Sequence, residues 1–345
     1  MTELGRRAAL AALAGAGLAF GPRPATAQQR VLLRGAGSSF AAPLFARWIK
    51  AVEAARPGLS IVYDSVGSGE GISRFVTGSV DFAATDAVPS DAQLAKVADG
   101  ARMVPATAGM VVLAYNLPGV RGTLRLPRAV LPAILRGEIR SWNDPAIVAA
   151  NPGLDLPKRT IVLVARLDGS GTTYALTNHL AAIDPVWRER HGVATRVDWP
   201  GTAMLMRGNE GVSGRLRVTE GGLGYVEHGF AKRLGLPMAE LENREGRFVA
   251  PTAAAGREAL ASADVKGEDL RIVIPDPPGA GSYPIVSYTW LLLYGRYTSG
   301  AKLEGLRAFA EFGLGDGQQI AAEMGYVPLP ESVAAASRSA LQLIG

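Results

Sequence analysis

The 345-residue sequence predicts an α/β protein with largely parallel sheets, and three observations lead there. Short β-branched runs alternate with helical periodicities along the chain, the pattern of βαβ units. Three of the strand-to-helix junctions repeat one glycine- and hydroxyl-rich design. The apolar fraction is 48%, enough for a substantial core and too high for a disordered chain. The length suits two domains of ordinary size.

The elements begin after an export signal. Arg6-Arg7 is a basic start, Ala8 to Phe20 is an apolar stretch, and Ala25-Thr26-Ala27 supplies the small-x-small pattern of a cleavage site. That stretch falls short of the ~20 residues a membrane span needs. Residues 1–27 therefore read as a signal peptide, and the arginine pair is compatible with twin-arginine export. The mature chain is expected to be soluble and outside the cytoplasm. The signal region holds Arg6, Arg7 and Arg23 against Glu3, so +2 of the formal +5 lies there and only +3 remains. Such a mild, dispersed charge argues against nucleic acid as a partner. The absence of cysteine excludes disulfides, thiolate metal sites and a cysteine nucleophile.

Strands are expected at Val31–Leu33, Leu59–Tyr63, Val80–Ala84, Gly109–Tyr115, Ile161–Val164, Leu223–Val226 and Tyr288–Tyr294. A helix from about Ala41 places Leu44, Phe45, Trp48, Ile49 and Val52 on one face. Another follows Gly67–Gly71 with Ile72, Phe75 and Val76 inward. Pro127 to Leu135 reads as helical, and Asp144-Pro145 reads as a cap with proline in the first turn. A helix through Tyr174, Leu176 and Leu180 follows Asp168–Thr173, and one of about Leu303 to Phe312 comes near the end.

The three shared junctions are Gly35–Phe40, Gly67–Gly71 and Asp168–Thr173. Glycine lets the backbone turn sharply and a ligand come close. The helix that follows offers unpaired N–H groups and its positive dipole end, which suit an anion. Serine and threonine hydroxyls add rotatable donors. Each loop alone reads more readily as a turn with an N-cap. The third differs because Arg166 and Asp168 flank it: either a surface ion pair, or an Arg fork aimed at an anion and held by the carboxylate. Enzyme patterns fit less well. Gly169-Ser170-Gly171 lacks the G-x-S-x-G spacing, no P-loop lysine is present, and His179, His191 and His228 fall in no catalytic or metal pattern. Gly35-x-Gly37 with Asp64 imitates a dinucleotide fingerprint, but Phe40 takes its third glycine position. No cofactor and no metal are expected.

Taken together, these motifs resemble the periplasmic phosphate-binding proteins of bacterial phosphate ABC transporters, the PstS type. The resemblance is carried by Gly-Ala-Gly-Ser-Ser-Phe (35–40), Val-Gly-Ser-Gly (66–69), Asp-Phe-Ala-Ala-Thr-Asp (81–86), and Gly-Glu-Ile-Arg-Ser-Trp-Asn-Asp-Pro-Ala-Ile (137–147). It continues in Arg-Leu-Asp-Gly-Ser-Gly-Thr (166–172), Gly-Asn-Glu-Gly-Val (208–212), Gly-Tyr-Val-Glu (224–227) and Gly-Tyr-Val-Pro-Leu-Pro (325–330). It implies the two-domain periplasmic-binding-protein fold, type II-like, with mixed sheets flanked by helices and a ligand cleft between the domains. Domain 1 would be discontinuous, residues 28–112 plus 286–345, and domain 2 would be 113–285. Strand-like crossings are expected near Val112–Ala114 and Pro284–Ser287. By motif, phosphate contacts fall on the backbone N–H groups at Ser39 and Phe40, and on Ser68, Asp86, Arg166, Ser170, Gly171 and Thr172, with Asp168 orienting Arg166. Asp86, if ionised, is acceptor-only and would take an O–H of phosphate that sulfate lacks; the alternative is a cap on the turn at Ala87. Glu70 stands where the family mostly has small residues. The expected protein is a non-enzymatic monomer delivering inorganic phosphate to membrane permease subunits; a carrier for another oxyanion and a periplasmic phosphoesterase are the alternatives.

Overall fold

The computed structural model describes residues 30–265 and 270–345; the signal-peptide reading of residues 1–27 lies outside them. Eleven strands occur among the described residues: β1 (Val31–Gly37), β2 (Leu59–Ser65), β3 (Phe82–Thr85), β4 (Ala101–Asn116), β5 (Arg125–Leu126), β6 (Val162–Arg166), β7 (Met204–Met206), β8 (Gly222–Glu227), β9 (Glu240–Glu242), β10 (Phe248–Val249) and β11 (Val286–Tyr294). Eight form one sheet in the order β2-β1-β3-β11-β4-β8-β6-β7, and β10-β9-β5 form a small second sheet.

The large sheet has two parallel wings around an antiparallel centre. β1 pairs parallel with β2 and β3, and β6 pairs parallel with β7 and β8. Between the wings β11 runs antiparallel to both β3 and β4, and β4 antiparallel to β8. The sheet is therefore mixed, as the resemblance implies, rather than largely parallel as alternation alone suggests. β4 spans 16 residues and is buried continuously from Met103 to Tyr115. Apolar side chains on both faces of a strand read as an unbroken hydrophobic run, which is how a doubly covered strand looks. Pro105 lies inside it without an N–H to donate. The register with β11 slips there: Thr289 faces Thr107 while Trp290 faces Pro105, leaving Ala106 as an extra residue. A bulge is where a sheet tolerates proline.

Helices cover both faces. The helix Ala42–Ala55 buries Leu44, Phe45, Trp48 and Val52. Phe45 meets Phe309 of the helix Gly300–Leu314 edge-on, with ring centroids 5.6 Å apart. Trp48 donates its indole N–H to the Gly317 carbonyl at 3.0 Å, so its one polar group is satisfied in the core. Several elements are longer or shorter than the sequence predicts. β3 starts only at Phe82, the helix expected from Pro127 starts at Val130, and the helix expected at Leu303–Phe312 runs from Gly300 to Leu314, with Ser299 accepting from the Lys302 N–H. Asp144 caps as expected, accepting from the Ala146 N–H at 2.9 Å. The contacts tie Val31–Gly345 into one unit. Within it, the carboxyl ends of β1, β2, β3 and β6 converge, and the loops leaving them carry the predicted residues.

Candidate functional site

Each parallel strand delivers a loop. β1 ends at Gly37, and Ser38, Ser39 and Phe40 follow; β3 ends at Thr85, and Asp86 follows; β6 ends at Arg166 and leads into the helix Gly171–Ile183. β2 leads through Gly67 to Ser68, the first residue of its helix. Ser39, Phe40, Ser68, Asp86, Arg166, Ser170, Gly171 and Thr172 are all buried.

Asp86 is the centre of a hydroxyl cluster. Ser38 donates to its carboxylate at 2.7 Å and Thr289 at 2.6 Å, while Ser68 Oγ stands 3.4 Å from Oδ2 and accepts from the Asp86 N–H at 3.1 Å. Burial pushes the Asp86 carboxyl up to about 6, against the hydrogen bonds from Thr289 and Ser38 and the charge of Arg166. Asp86 does not hold the following turn. Thr85 does, accepting from the Ala87 N–H at 3.0 Å and donating to its carbonyl at 2.7 Å.

Arg166 and Asp168 form a buried two-pronged pair. Nε reaches Oδ1 at 2.9 Å, Nη2 bonds Oδ2, and Nη1 donates to Thr172 Oγ1 at 3.2 Å. Burial would raise the Asp168 carboxyl, but the hydrogen bonds and charge of Arg166 outweigh it and hold it below the usual range. The guanidinium is thus oriented by its carboxylate, and the pair is no surface ion pair.

Glycines allow the two sets of loops to touch. Gly69 donates its N–H to the Gly169 carbonyl at 2.8 Å. A Cβ on Gly171 would stand 2.5 Å from both Asp86 Cβ and Ser68 Oγ, and one on Gly67 would stand 2.2 Å from Asp168 Oδ2. Ser170 accepts from the Thr173 N–H at 3.0 Å as helix cap, leaving its hydroxyl proton available. The Phe40 N–H, expected to face a ligand, is accepted by Ser38 Oγ at 3.1 Å, and the Phe40 ring lies in the core. Glu70 does not disturb the site. It pairs with Arg74 at 2.9 Å on the surface, and Arg74 also pairs with Asp64.

Sequence reasoning missed four participants. Ser38 and Asn209 lie inside quoted motifs but gave no sign of their role. Thr289 lies in an apolar strand that carries no polar signal. Tyr225 donates or accepts with Thr173 Oγ1 at 2.7 Å and accepts from the Arg166 N–H at 3.1 Å. The histidines serve elsewhere: His179 and His228 bond the Pro275 and Gly325 carbonyls, and His191 lies against Trp187. Among the described residues no cluster could hold a metal ion and no helix is long and apolar enough to cross a membrane.

The model of the PBP superfamily domain matches residues 24–316. The phosphate-binding protein PstS of Xylella fastidiosa is 35% identical over 314 residues, 90% of this chain and 85% of that one. The chain belongs to the PstS family. Another PstS-family member, the phosphate-binding protein PstS of Pasteurella multocida, is 35% identical over 307 residues, 88% of either chain. Among solved structures, the PstS-family chain resembles a high-affinity periplasmic phosphate-binding protein (PfluDING) bound with phosphate, with TM-score 0.73, 20% identity and coverage of 90% and 93%. A phosphate-binding protein from Stenotrophomonas maltophilia gives 0.70, 19%, 90% and 93%. At these identities the likeness bears on the fold, which is that of periplasmic binding proteins.

Proposed function

We propose that this PstS-family protein binds inorganic phosphate in the periplasm and hands it to the membrane permease of a phosphate ABC importer, without catalysing a reaction on it. One observation carries the reading: a buried cluster that combines a guanidinium held by Asp168, several hydroxyls and a second carboxylate, Asp86, bonded by hydroxyls. Phosphate is the common oxyanion that both accepts from many donors and still carries a proton to give. Its contacts are proposed at Ser39 and Phe40, Ser68, Asp86, Arg166, Ser170, Gly171 and Thr172, with Asp168 steering Arg166. The Phe40 N–H would have to turn from Ser38 Oγ or share it. Two lobes, residues 28–112 with 286–345 and residues 113–285, would close on the ligand about the crossings of β4 and β11.

The residues around the site agree with a carrier. His179, His191 and His228 are engaged elsewhere, and the hydroxyls lack the imidazole base that a serine nucleophile needs. Export is proposed from Arg6-Arg7, Ala8–Phe20 and Ala25–Ala27, with an N-terminus near Gln28 in protein from its native host; a mass beginning at Met1 would contradict it. The deciding measurement is equilibrium binding of phosphate, sulfate, arsenate and molybdate to the mature chain. Phosphate is expected to bind and sulfate to compete poorly. Sulfate or molybdate binding more tightly than phosphate would overturn the assignment.

A further inference from the structure

Asn209, the second residue of the helix Gly208–Val218, is fully buried and bonded on every side. Its backbone N–H and its Nδ2 both donate to Ser39 Oγ, at 3.1 and 3.0 Å. Nδ2 also donates to Thr172 Oγ1 at 3.2 Å. The amide cannot be turned over, because its Oδ1 accepts from the Glu227 N–H at 2.9 Å. Asn209 therefore bridges the loop after β1 and the helix after β6.

The count of lone pairs is what matters. A hydroxyl has one proton to donate and two acceptor positions. At Ser39 both positions are taken by Asn209. At Thr172 one is taken by Asn209 and the other by Arg166 Nη1, at 3.2 Å each. Each oxygen has only its proton left to offer. Ser38 is arranged alike: it accepts from the Phe40 and Ala41 N–H groups and gives its proton to the Asp86 carboxylate.

We propose that Asn209 is a positioning residue that sets the polarity of the site: by filling the acceptor positions of Ser39 and, together with Arg166, those of Thr172, it makes both hydroxyls obligate donors to the bound anion. A free hydroxyl rotates to suit its neighbour. These two cannot, so they meet an oxygen lone pair well and a protonated oxygen badly. The ligand's proton is thereby directed to Asp86. This rests on the placement of phosphate among Ser39, Asp86, Arg166 and Thr172 proposed above, and adds the Ser39 hydroxyl to its backbone N–H as a contact.

The test is a mutant cycle read by equilibrium binding of inorganic phosphate, with melting of the phosphate-free proteins as the check on folding. Asn209→Ala should weaken phosphate binding roughly ten- to hundredfold, the scale of one or two misdirected buried hydrogen bonds. In a Ser39→Ala/Thr172→Val background the same substitution should weaken it less than about twofold. Equal losses in both backgrounds would overturn the proposal, since Asn209 would then act by some route other than these hydroxyls. If the Ser39→Ala/Thr172→Val protein binds phosphate as tightly as the parent, the site assignment itself fails and the proposal with it. Asn209→Asp keeps the shape and the acceptor for the Glu227 N–H, so it preserves folding where alanine does not. Its carboxylate would draw both hydroxyl protons away from the anion. It should bind more weakly than Asn209→Ala; parent-like binding by Asn209→Asp would show that the bridge is structural only.

Discussion

Asp86 is a carboxylate at the proposed anion site, and its four polar neighbours, Ser38, Ser68, Thr289 and Arg166, hold its carboxyl lower than burial alone would. Sulfate at neutral pH has no proton and would press lone pairs against it, leaving a buried acceptor unpaired at a cost of ~1–3 kcal/mol. Asp86→Asn offers an N–H to either anion, so the phosphate-to-sulfate affinity ratio should narrow. Competition of sulfate against labelled phosphate measures it, and an unchanged ratio would remove Asp86 from selectivity. Arg166→Ala should weaken phosphate binding by at least ~1.5–3 kcal/mol in calorimetry, because it deletes a charged donor and strands Asp168. Arg166→Lys should recover only part, lacking the fork that grips Asp168 and Thr172 together. Glu227 is a further buried acid. Oε1 accepts from the Gly229 N–H at 2.7 Å, Oε2 has no partner, and burial pushes the carboxyl up to about 8. The folded protein therefore holds this proton over a range where the unfolded chain, near 4.5, has lost it. Stability should grow as pH falls through 8 toward 7, by roughly 1 kcal/mol. As pH falls further through 6.5, buried His179, lowered to about 4, acts the opposite way, and His191 and His228, also lowered by burial, act with it. Denaturant unfolding of the phosphate-free protein between pH 8 and 7 should show the rise, and Glu227→Gln should flatten it. A rise that survives in the variant would assign it to another group.

At the level of loops and strands, close approach is the constraint. Gly171 opens its helix with no room for a side chain beyond its backbone: Asp86 and Ser68 stand against it. Gly171→Ala should suit the helix yet hold the loops apart, cutting phosphate affinity more than tenfold with the circular-dichroism spectrum unchanged. Undiminished affinity would mean that the loops need not meet to bind. The same chemistry explains what could be read in advance. Strand, glycine, hydroxyl and helix follow one another in the sequence, so the loops of Ser39, Ser68 and Ser170 were legible without a structure. Arg166 with Asp168 was legible because its partners lie two and six residues away. Thr289 was not, since its link to Asp86 crosses 203 residues and nothing in Tyr288–Tyr294 distinguishes an inward threonine. Asn209 was visible only as a motif letter; its meaning is a hydrogen-bond count that exists after Ser39 and Thr172 converge. β4 begins at Ala101, well before the expected Gly109, and runs across Pro105, which the fold absorbs at a bulge. The strand–helix alternation disclosed the parallel wings but not the antiparallel centre: a side-chain pattern does not say which strands lie beside β11, so β11 gave no sign of where it inserts.

For the molecule as a whole, the proposed lobes predict a measurable change. An anion touching Ser39, Ser68 and Asp86 on one side and Arg166, Ser170 and Thr172 on the other favours the conformation in which those loops meet. Solution scattering should give a smaller radius of gyration with phosphate than without, and no change at saturation would argue against closure around the ligand. The antiparallel centre has a further consequence, in the time order of folding. β11 lies between β3 and β4, with Leu291 beside Ala84 on one edge and Val104 on the other. A chain synthesised as far as residue 285 has every other strand of the large sheet but must leave both of those edges bare. Contacts of such long sequence separation form slowly, and bare central edges invite pairing with other chains. Completion of the first wing is therefore tied to the last sixty residues, and a chain that crosses a membrane before folding carries its own delay: it cannot close its sheet until nearly all of it has emerged.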